Sequence, residues 1–554
     1  MVMTIQVFAS GDMVTITVDA QDVIGTIPLI HGLVGGPLIE EWWRPEGAAC
    51  GGYPNWWTAD FSRRFRQMGV PAARAHGSGA IDVNAIWASW PDYTPDTHNP
   101  ANYDFTIADR AVYAAMGVTK IIGRLGFGKG SMSIPGCDWA SPPPPQEFAE
   151  ICGNIIRHFN QGWAWDDATW GPWHDGWRIG TWSVWNEPYY NVGDHGWWTG
   201  TPTEFADLYN TVVTNVKGID PTVRLGPNLQ IDTFSDEFFA HWATMTPPPS
   251  IDFIDIHLYR ESPFQFPWGI HLKPPDVQGH GNWEEYLEAV NLPRSTPLII
   301  GEWNRSIANY ASGPSGAAYN MCVLAMLADL AEHEGSDHHV EMACHFAVGK
   351  VWMGMDDAPQ SPTLAGVAFH FYGEHLALAT PRRLAVSAAG PGTAPGDIPV
   401  VTSIAGQSPS GRQVTLLLSQ YDPANPDDPG TPFTASIAVT GLPGTTFQWS
   451  RWAMRGQDPF VPLEVTTSQG TVFRRDDVQV TGNTFEAWIL RFCPSDVDDT
   501  GTTDVEDLLI LLMGWGEVEA LTPGDITLDG TIDIQDLLAI LSSWGSCADA
   551  PQER

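Results

Sequence analysis

From about Thr26 to about Ala379 the chain repeats one pattern, a short apolar run followed by an amphipathic stretch. Eight strand-like runs carry it: Ile27–Leu33, Val70–Ala75, Thr119–Leu125, Gly180–Trp185, Val223–Gly226, Ile251–His257, Leu298–Glu302 and Val340–Ala347. Helix-like stretches lie between them, among them Thr58–Met68, Ile107–Met116, Gln146–Phe159, Pro202–Lys217 and Ala317–Glu332. Alternation of this kind builds a parallel sheet covered by helices, and eight units over roughly 350 residues favour a closed barrel over an open, doubly wound sheet. The expected fold class is α/β, a (β/α)8 TIM barrel with its chemistry at the C-terminal ends of the strands.

The chain has 554 residues, and at ~150 residues per domain there is room for more than the barrel. After Pro381 the pattern becomes strands separated by Gly/Pro/Asp-rich turns, as in Gln413–Leu418, the loop Tyr421–Pro432, Ala435–Val439 and Phe485–Phe492. This reads as an antiparallel β-sandwich. The opening stretch Thr4–Val18 alternates as well and is expected to join that sheet. The expected division is 1–25 as N-terminal strands of the sandwich, 26–380 as the catalytic barrel and 381–492 as the sandwich. A small α-helical calcium-loop domain at 493–548 and a tail at 549–554 follow.

A net charge of -38 opposes any electrostatic grip on nucleic acid phosphates. No apolar run reaches the ~18–20 residues of a membrane span. The 26 tryptophans, most of them before residue 353, suit the C–H faces of sugar rings as well as ordinary core packing. Among seven cysteines there is no zinc-type spacing; Cys493 and Cys547 bracket the last module and are expected to pair, which fits an oxidising compartment. The start, MVMTIQVFAS, shows neither the basic residues nor the apolar stretch of a signal peptide, and the expectation is a secreted or cell-surface protein whose signal has been trimmed.

Two carboxylates stand where barrel chemistry is built. The fourth strand runs into Trp182-Ser183-Val184-Trp185-Asn186-Glu187-Pro188, and the seventh into Leu298-Ile299-Ile300-Gly301-Glu302-Trp303-Asn304. Strands four and seven lie on opposite sides of an eight-stranded barrel, so Glu187 and Glu302 can face each other across a cleft. Glycoside hydrolysis needs this arrangement: a protonated acid at the leaving oxygen and an ionised carboxylate below the anomeric carbon. Glu187 is read as acid/base and Glu302 as nucleophile.

The WNEP segment around Glu187 and the EWN segment at Glu302 resemble the catalytic motifs of clan A retaining glycosidases. Arg74-Ala75-His76-Gly77, Tyr103-Asp104-Phe105-Thr106 with Gly126-Phe127, and the stretch from Ile251 to Tyr259 narrow the resemblance to glycoside hydrolase family thirty-nine, the β-xylosidase and α-L-iduronidase family. It covers roughly residues 4 to 492. By position it implies that Asn186 bonds the sugar 2-hydroxyl, that His257 and Tyr259 stand beside the nucleophile with Tyr259 orienting it, and that Arg74 and His76 support the nucleophile and the glycone. Trp303 and Trp352 are candidate sugar platforms. Met342-Ala343-Cys344-His345-Phe346 departs from the xylosidase pattern, and Trp163–Trp177 and Trp197-Trp198 suggest enlarged loops.

From Cys493 to Cys547 the sequence repeats with an offset of 29 residues, DVDDTGTTDVEDLLILLMGWG against DITLDGTIDIQDLLAILSSWG. Calcium takes oxygen ligands at loop positions one, three, five, seven, nine and twelve, with glycine at six. Those positions are Asp496, Asp498, Thr500, Thr502, Asp504 and Asp507, with Gly501, and Asp525, Thr527, Asp529, Thr531, Asp533 and Asp536, with Gly530. Leu508, Leu509, Leu512 and their mates Leu537, Leu538, Leu541 are expected to be buried. The pair of loops resembles a type I dockerin, which implies structural Ca2+ and a cohesin-like or cell-surface partner.

The combined expectation is a retaining glycosidase acting on a polysaccharide or oligosaccharide, with no cofactor for catalysis. The competing class is a non-catalytic carbohydrate-binding or scaffold protein on the same barrel, and the presence of both carboxylates argues against it. A metal-dependent hydrolase would need His and Asp ligands clustered at strand ends, whereas His257 and His345 stand isolated.

Overall fold

The computed structural model describes residues 13–40, 58–75, 81–126, 141–190, 197–260, 263, 283–305, 314–332, 340–346, 363–393, 399–426, 432–444, 446–453, 462–518 and 522–547. Eight parallel strands form one sheet: His31–Val34, Ala72–Arg74, Lys120–Leu125, Thr181–Val184, Arg224–Pro227, Ile254–Tyr259, Leu298–Asn304 and Val340–His345. The sheet closes between its fifth and sixth strands, where Asp252 N donates to Leu225 O and Leu229 N to Asp255 O, each at 2.9 Å. It is the expected barrel.

Two strand expectations start three or four residues too early, and Val70–Ala75 starts two early, the observed strand beginning at Ala72. Ile27–Ile30 precede the first barrel strand, because the strand Met13–Thr26 runs on in the neighbouring sheet and Ile27 N donates to Pro381 O. The sixth strand begins at Ile254, so that Asp255, His257 and Tyr259 alternate onto one face. The first helix is also shorter than expected, Ser62–Gln67, since Thr58–Asp60 pairs antiparallel with Leu38–Glu40.

The β-rich domain is one nine-stranded sheet rather than two separate ones. Its pairing is antiparallel except where Met13–Thr26 lies parallel to Phe433–Thr440, which corrects the all-antiparallel expectation. The sheet curls until its two ends meet. Arg475 of Phe473–Val480 bonds Glu464 of Glu464–Gln469 at 2.9 Å, and its guanidinium covers the Trp449 ring. Period-two alternation then sorts its side chains. Val414, Leu416, Leu418, Trp488 and Leu490 fill the interior of the curl, while Leu417, Tyr421, Trp452, Phe485 and Ile489 join the barrel core.

The C-terminal module holds two helices, Val505–Met513 and Ile534–Ser542, each started by a capping box from Asp504 or Asp533. Cys493 and Cys547 are disulfide-bonded, with Cα atoms 6.0 Å apart. Its small core is Leu511, Ile526, Ile532 and Ile540. Leu509, Leu512, Leu538 and Leu541 are about half exposed, against the expectation of burial; a core this small closes over one stripe of each helix and leaves the next stripe outside. The module docks on the β-rich domain through Arg412 to Asp496 at 3.1 Å and Gln448 Nε2 to Ile526 O at 3.3 Å, with Leu528 buried. Cys50 and Cys137 lie outside the described residues; Cys152, Cys322 and Cys344 are buried free thiols.

Candidate active site

The fourth strand delivers Glu187 through a strained turn. Trp185 and Glu187 both have positive φ, +69° and +43°, in a region that costs a non-glycine residue of order 1–3 kcal/mol. Fixed hydrogen bonds offset this: Trp185 N donates to Leu125 O at 2.9 Å, the Trp185 indole to Trp197 O at 2.9 Å, and Glu187 N to Asn228 Oδ1 at 2.7 Å. The result turns the Glu187 carboxyl toward the mouth of the barrel, where its side chain keeps 14% exposure.

Glu302 comes from inside the seventh strand, with its side chain only 6% exposed. Arg74 Nη1 donates to Glu302 Oε1 at 2.9 Å and the Tyr259 hydroxyl to Oε2 at 2.7 Å, so each oxygen has a donor. Arg74 also reaches Asp255 Oδ2 at 3.1 Å and Asn186 Oδ1 at 3.3 Å. Burial would lower the Arg74 pKa, but Asp255 and Glu302 overcome it and push the group above its ordinary value. Gly301 is required here, since a Cβ would stand 2.0 Å from Asp255 Oδ1.

His257 links the two glutamates. Its Nδ1 is 2.7 Å from Glu187 Oε1 and 3.6 Å from Glu302 Oε2. Burial opposes a charge on the ring, yet the attraction of Glu302 and the hydrogen bond to Glu187 raise its pKa above the ordinary histidine value. One donor atom from each of Glu187, His257 and Glu302 lies within 4.8 Å of the others. A metal could use such a set, but the Arg74 guanidinium, already bound to Glu302 and Asp255, puts a fixed positive charge against a second cation.

Six of the sequence-derived site residues therefore meet: Arg74, Asn186, Glu187, His257, Tyr259 and Glu302. His76 and Trp352 lie outside the described residues. Trp303 is not a platform. It is wholly buried, edge-on to His345 at 4.7 Å and stacked on Phe369 at 6.0 Å, because it alternates with Glu302 and faces the helix layer. Sequence reading missed Asp255, Ser183 and Asn228. Asp255 was findable, since it sits two residues before His257 and so shares its face; Ser183 donates to it. Asn228, just past the fifth strand, carried no such signal.

The acidic loops also repeat their geometry. Asp496 accepts from Thr500 N and Gly501 N, and Asp525 from Asp529 N and Gly530 N. Asp507 accepts from Val497 N and Asp498 N, and Asp536 from Ile526 N and Thr527 N. Gly501 and Gly530 take the positive φ the turn requires, +103° and +82°. Oxygens of Asp496, Asp498 and Asp507 come within 4.8 Å of one another. Asp504 and Asp533 cap the helices, while Thr502 and Thr531 lie in two-residue strands beside the loops.

Residues 176–338 match the family model described as glycosyl hydrolases family 39, a segment that includes Glu187, His257, Tyr259 and Glu302. No curated protein matches the chain. Among solved structures, the fold is similar to a glucosidase from Croceicoccus marinus, at 18% identity and TM-score 0.62 over 86% of this chain and 99% of that one. It is also similar to a monomeric beta-xylosidase from Caulobacter crescentus CB15 (14%, TM-score 0.54, 86% and 99%). A GH39 enzyme from Xanthomonas axonopodis pv. citri is similar too (15%, TM-score 0.54, 87% and 98%).

Proposed function

We propose that this glycosidase works by double displacement with retention of configuration, on a polysaccharide or oligosaccharide of β-xyloside-like or related type. The observation that carries the reading is that one imidazole nitrogen, His257 Nδ1, stands 2.7 Å from Glu187 Oε1 and 3.6 Å from Glu302 Oε2, with oxygens of the two carboxyls within 4.8 Å of each other. Retention goes with carboxyl groups about 5–5.5 Å apart, whereas inversion needs about 6.5–9.5 Å to admit a water.

In this reading Glu302, held by Arg74 and Tyr259, attacks the anomeric carbon while Glu187 gives its proton to the departing oxygen. The glycosyl–Glu302 ester forms as the glycosidic bond breaks. Glu187, now a base, takes a proton from water, which displaces Glu302 and restores both groups. Asn186, with its Oδ1 on Arg74, has amide hydrogens to offer the sugar 2-hydroxyl. No cofactor enters these steps.

The acidic loops are proposed to hold structural Ca2+, with Asp496, Asp498 and Asp507 in one loop and Asp525, Asp529 and Asp536 in the other supplying most of the oxygen ligands. The exposed Leu509, Leu512, Trp515 and Leu538, Leu541, Trp544, at matching positions of the two repeats, support a cohesin-like or cell-surface protein partner. A secreted location accords with the Cys493–Cys547 disulfide.

Hydrolysis of a panel of aryl glycosides and polysaccharides tests the proposal. Turnover of at least one substrate, abolished in Glu302→Gln, is the expected result. Undiminished turnover in that variant would contradict it.

A further inference from the structure

The helix after the eighth barrel strand, Leu364–His370, continues into a π-helical turn, Phe371–Leu378. In an α-helix, residues five apart point about 140° away from each other. A π-turn, bonded from i to i+5, brings them onto one side. His370 and His375 are such a pair: their Nε2 atoms are 3.1 Å apart, with the rings crossed at 78°. Glu374 sets Oε2 3.3 Å from His370 Nδ1. The two imidazoles are buried, and the Glu374 side chain keeps 27% exposure as a route to solvent.

We infer that His370 and His375, through their facing Nε2 atoms, bind a first-row divalent cation of the zinc class, separate from the glutamate pair, while Glu374 holds the His370 ring from its other nitrogen, Nδ1. One donor atom from each of the three lies within 4.8 Å of the others. Two nitrogens bound to tetrahedral zinc at ~2.0–2.1 Å stand about 3.3 Å apart, close to the spacing found here. Two imidazole nitrogens suit zinc, copper or nickel, whereas calcium and magnesium take oxygen.

The place suggests what the ion does. Phe371, inside the π-turn, packs on Phe485 at 5.5 Å and Trp452 at 6.2 Å, both from the β-rich domain. A cation here pins the turn that joins barrel to sheet.

The test uses the full chain in excess Ca2+, so that the acidic loops are filled, exposed to Zn2+ and passed through gel filtration. One retained zinc per chain and a raised Tm are expected; both are lost in His370→Asn, and Glu374→Gln holds the zinc about 10–100-fold more weakly. No retained zinc, or equal retention in the folded variants, would overturn the assignment. If the variants do not fold, Co2+ on the wild type decides: visible bands of a tetrahedral nitrogen-ligated ion support the site, and their absence overturns it.

Discussion

His257 Nδ1 and Glu187 Oε1 share a 2.7 Å hydrogen bond, beside a second carboxylate at 3.6 Å. A single imidazole N–H thus faces both glutamates, and its proton serves two purposes. It orients Glu187 and it offsets one of the negative charges that glycoside chemistry brings together.

The pH dependence follows from the direction of the His257 shift. Its folded pKa is raised, so its stabilising contribution is complete below the ordinary value of about 6.5 and is lost as pH rises through the higher folded value. Resistance to thermal unfolding should therefore show an alkaline limb that falls at a pH above that ordinary value, and His257→Gln should move or flatten it. Tm profiles from about pH 5 to about pH 9 check this. An alkaline limb unchanged by the substitution would rule it out.

Glu187→Gln should separate substrates by leaving group. Aryl glycosides with activated leaving groups need little acid assistance in the first step, while unactivated substrates should lose about 10²–10⁴-fold in kcat/KM. Equal losses on both types would remove Glu187 from the acid role.

Arg74 is buried between Asp255 and Glu302. Arg74→Met leaves two buried carboxylates without their partner and should cost about 3–5 kcal/mol of stability. Adding Asp255→Asn should recover part of that loss without restoring turnover. Denaturant unfolding of the singles and the double measures the coupling.

Trp303→Ala should act on stability and not on substrate binding. Its ring is enclosed by Phe369, His345 and Tyr319, and opening that space should cost about 3–5 kcal/mol. KM for the folded protein should stay within about twofold, a change well under 1 kcal/mol. A large rise in KM at unchanged stability would return Trp303 to the cleft.

Ca2+ should protect the C-terminal module. In a chelator the Asp496, Asp498 and Asp507 carboxylates repel, and limited proteolysis should cut near residues 493–547 first. Turnover of small aryl glycosides should persist. Identical digestion with and without Ca2+ would argue against metal in the loops.

Much of this was legible in sequence because it rests on periodicity. The eight runs of the barrel mark its strands, and a glutamate closing a run marks a candidate position, as at Glu187 and Glu302, which the structure brings together beside His257. The disulfide followed from two cysteines bracketing a repeat. Contacts between distant elements were not legible. Asp255 is an ordinary strand residue until Arg74 and Ser183 close on it, and Trp303 differs from a platform only by the parity of its place in a strand. The half-exposed Leu509 and Leu538 show the same limit, since apolar periodicity cannot say how much core exists to cover it. His370 and His375 meet only because the helix changes its winding at Phe371.

The most direct test is proton NMR of the first-formed sugar during hydrolysis of the best substrate, before mutarotation. Glu302 acting as nucleophile calls for the anomer of the substrate's own configuration. First release of the opposite anomer would mean a water between the carboxylates, and would contradict Glu302 as the nucleophile.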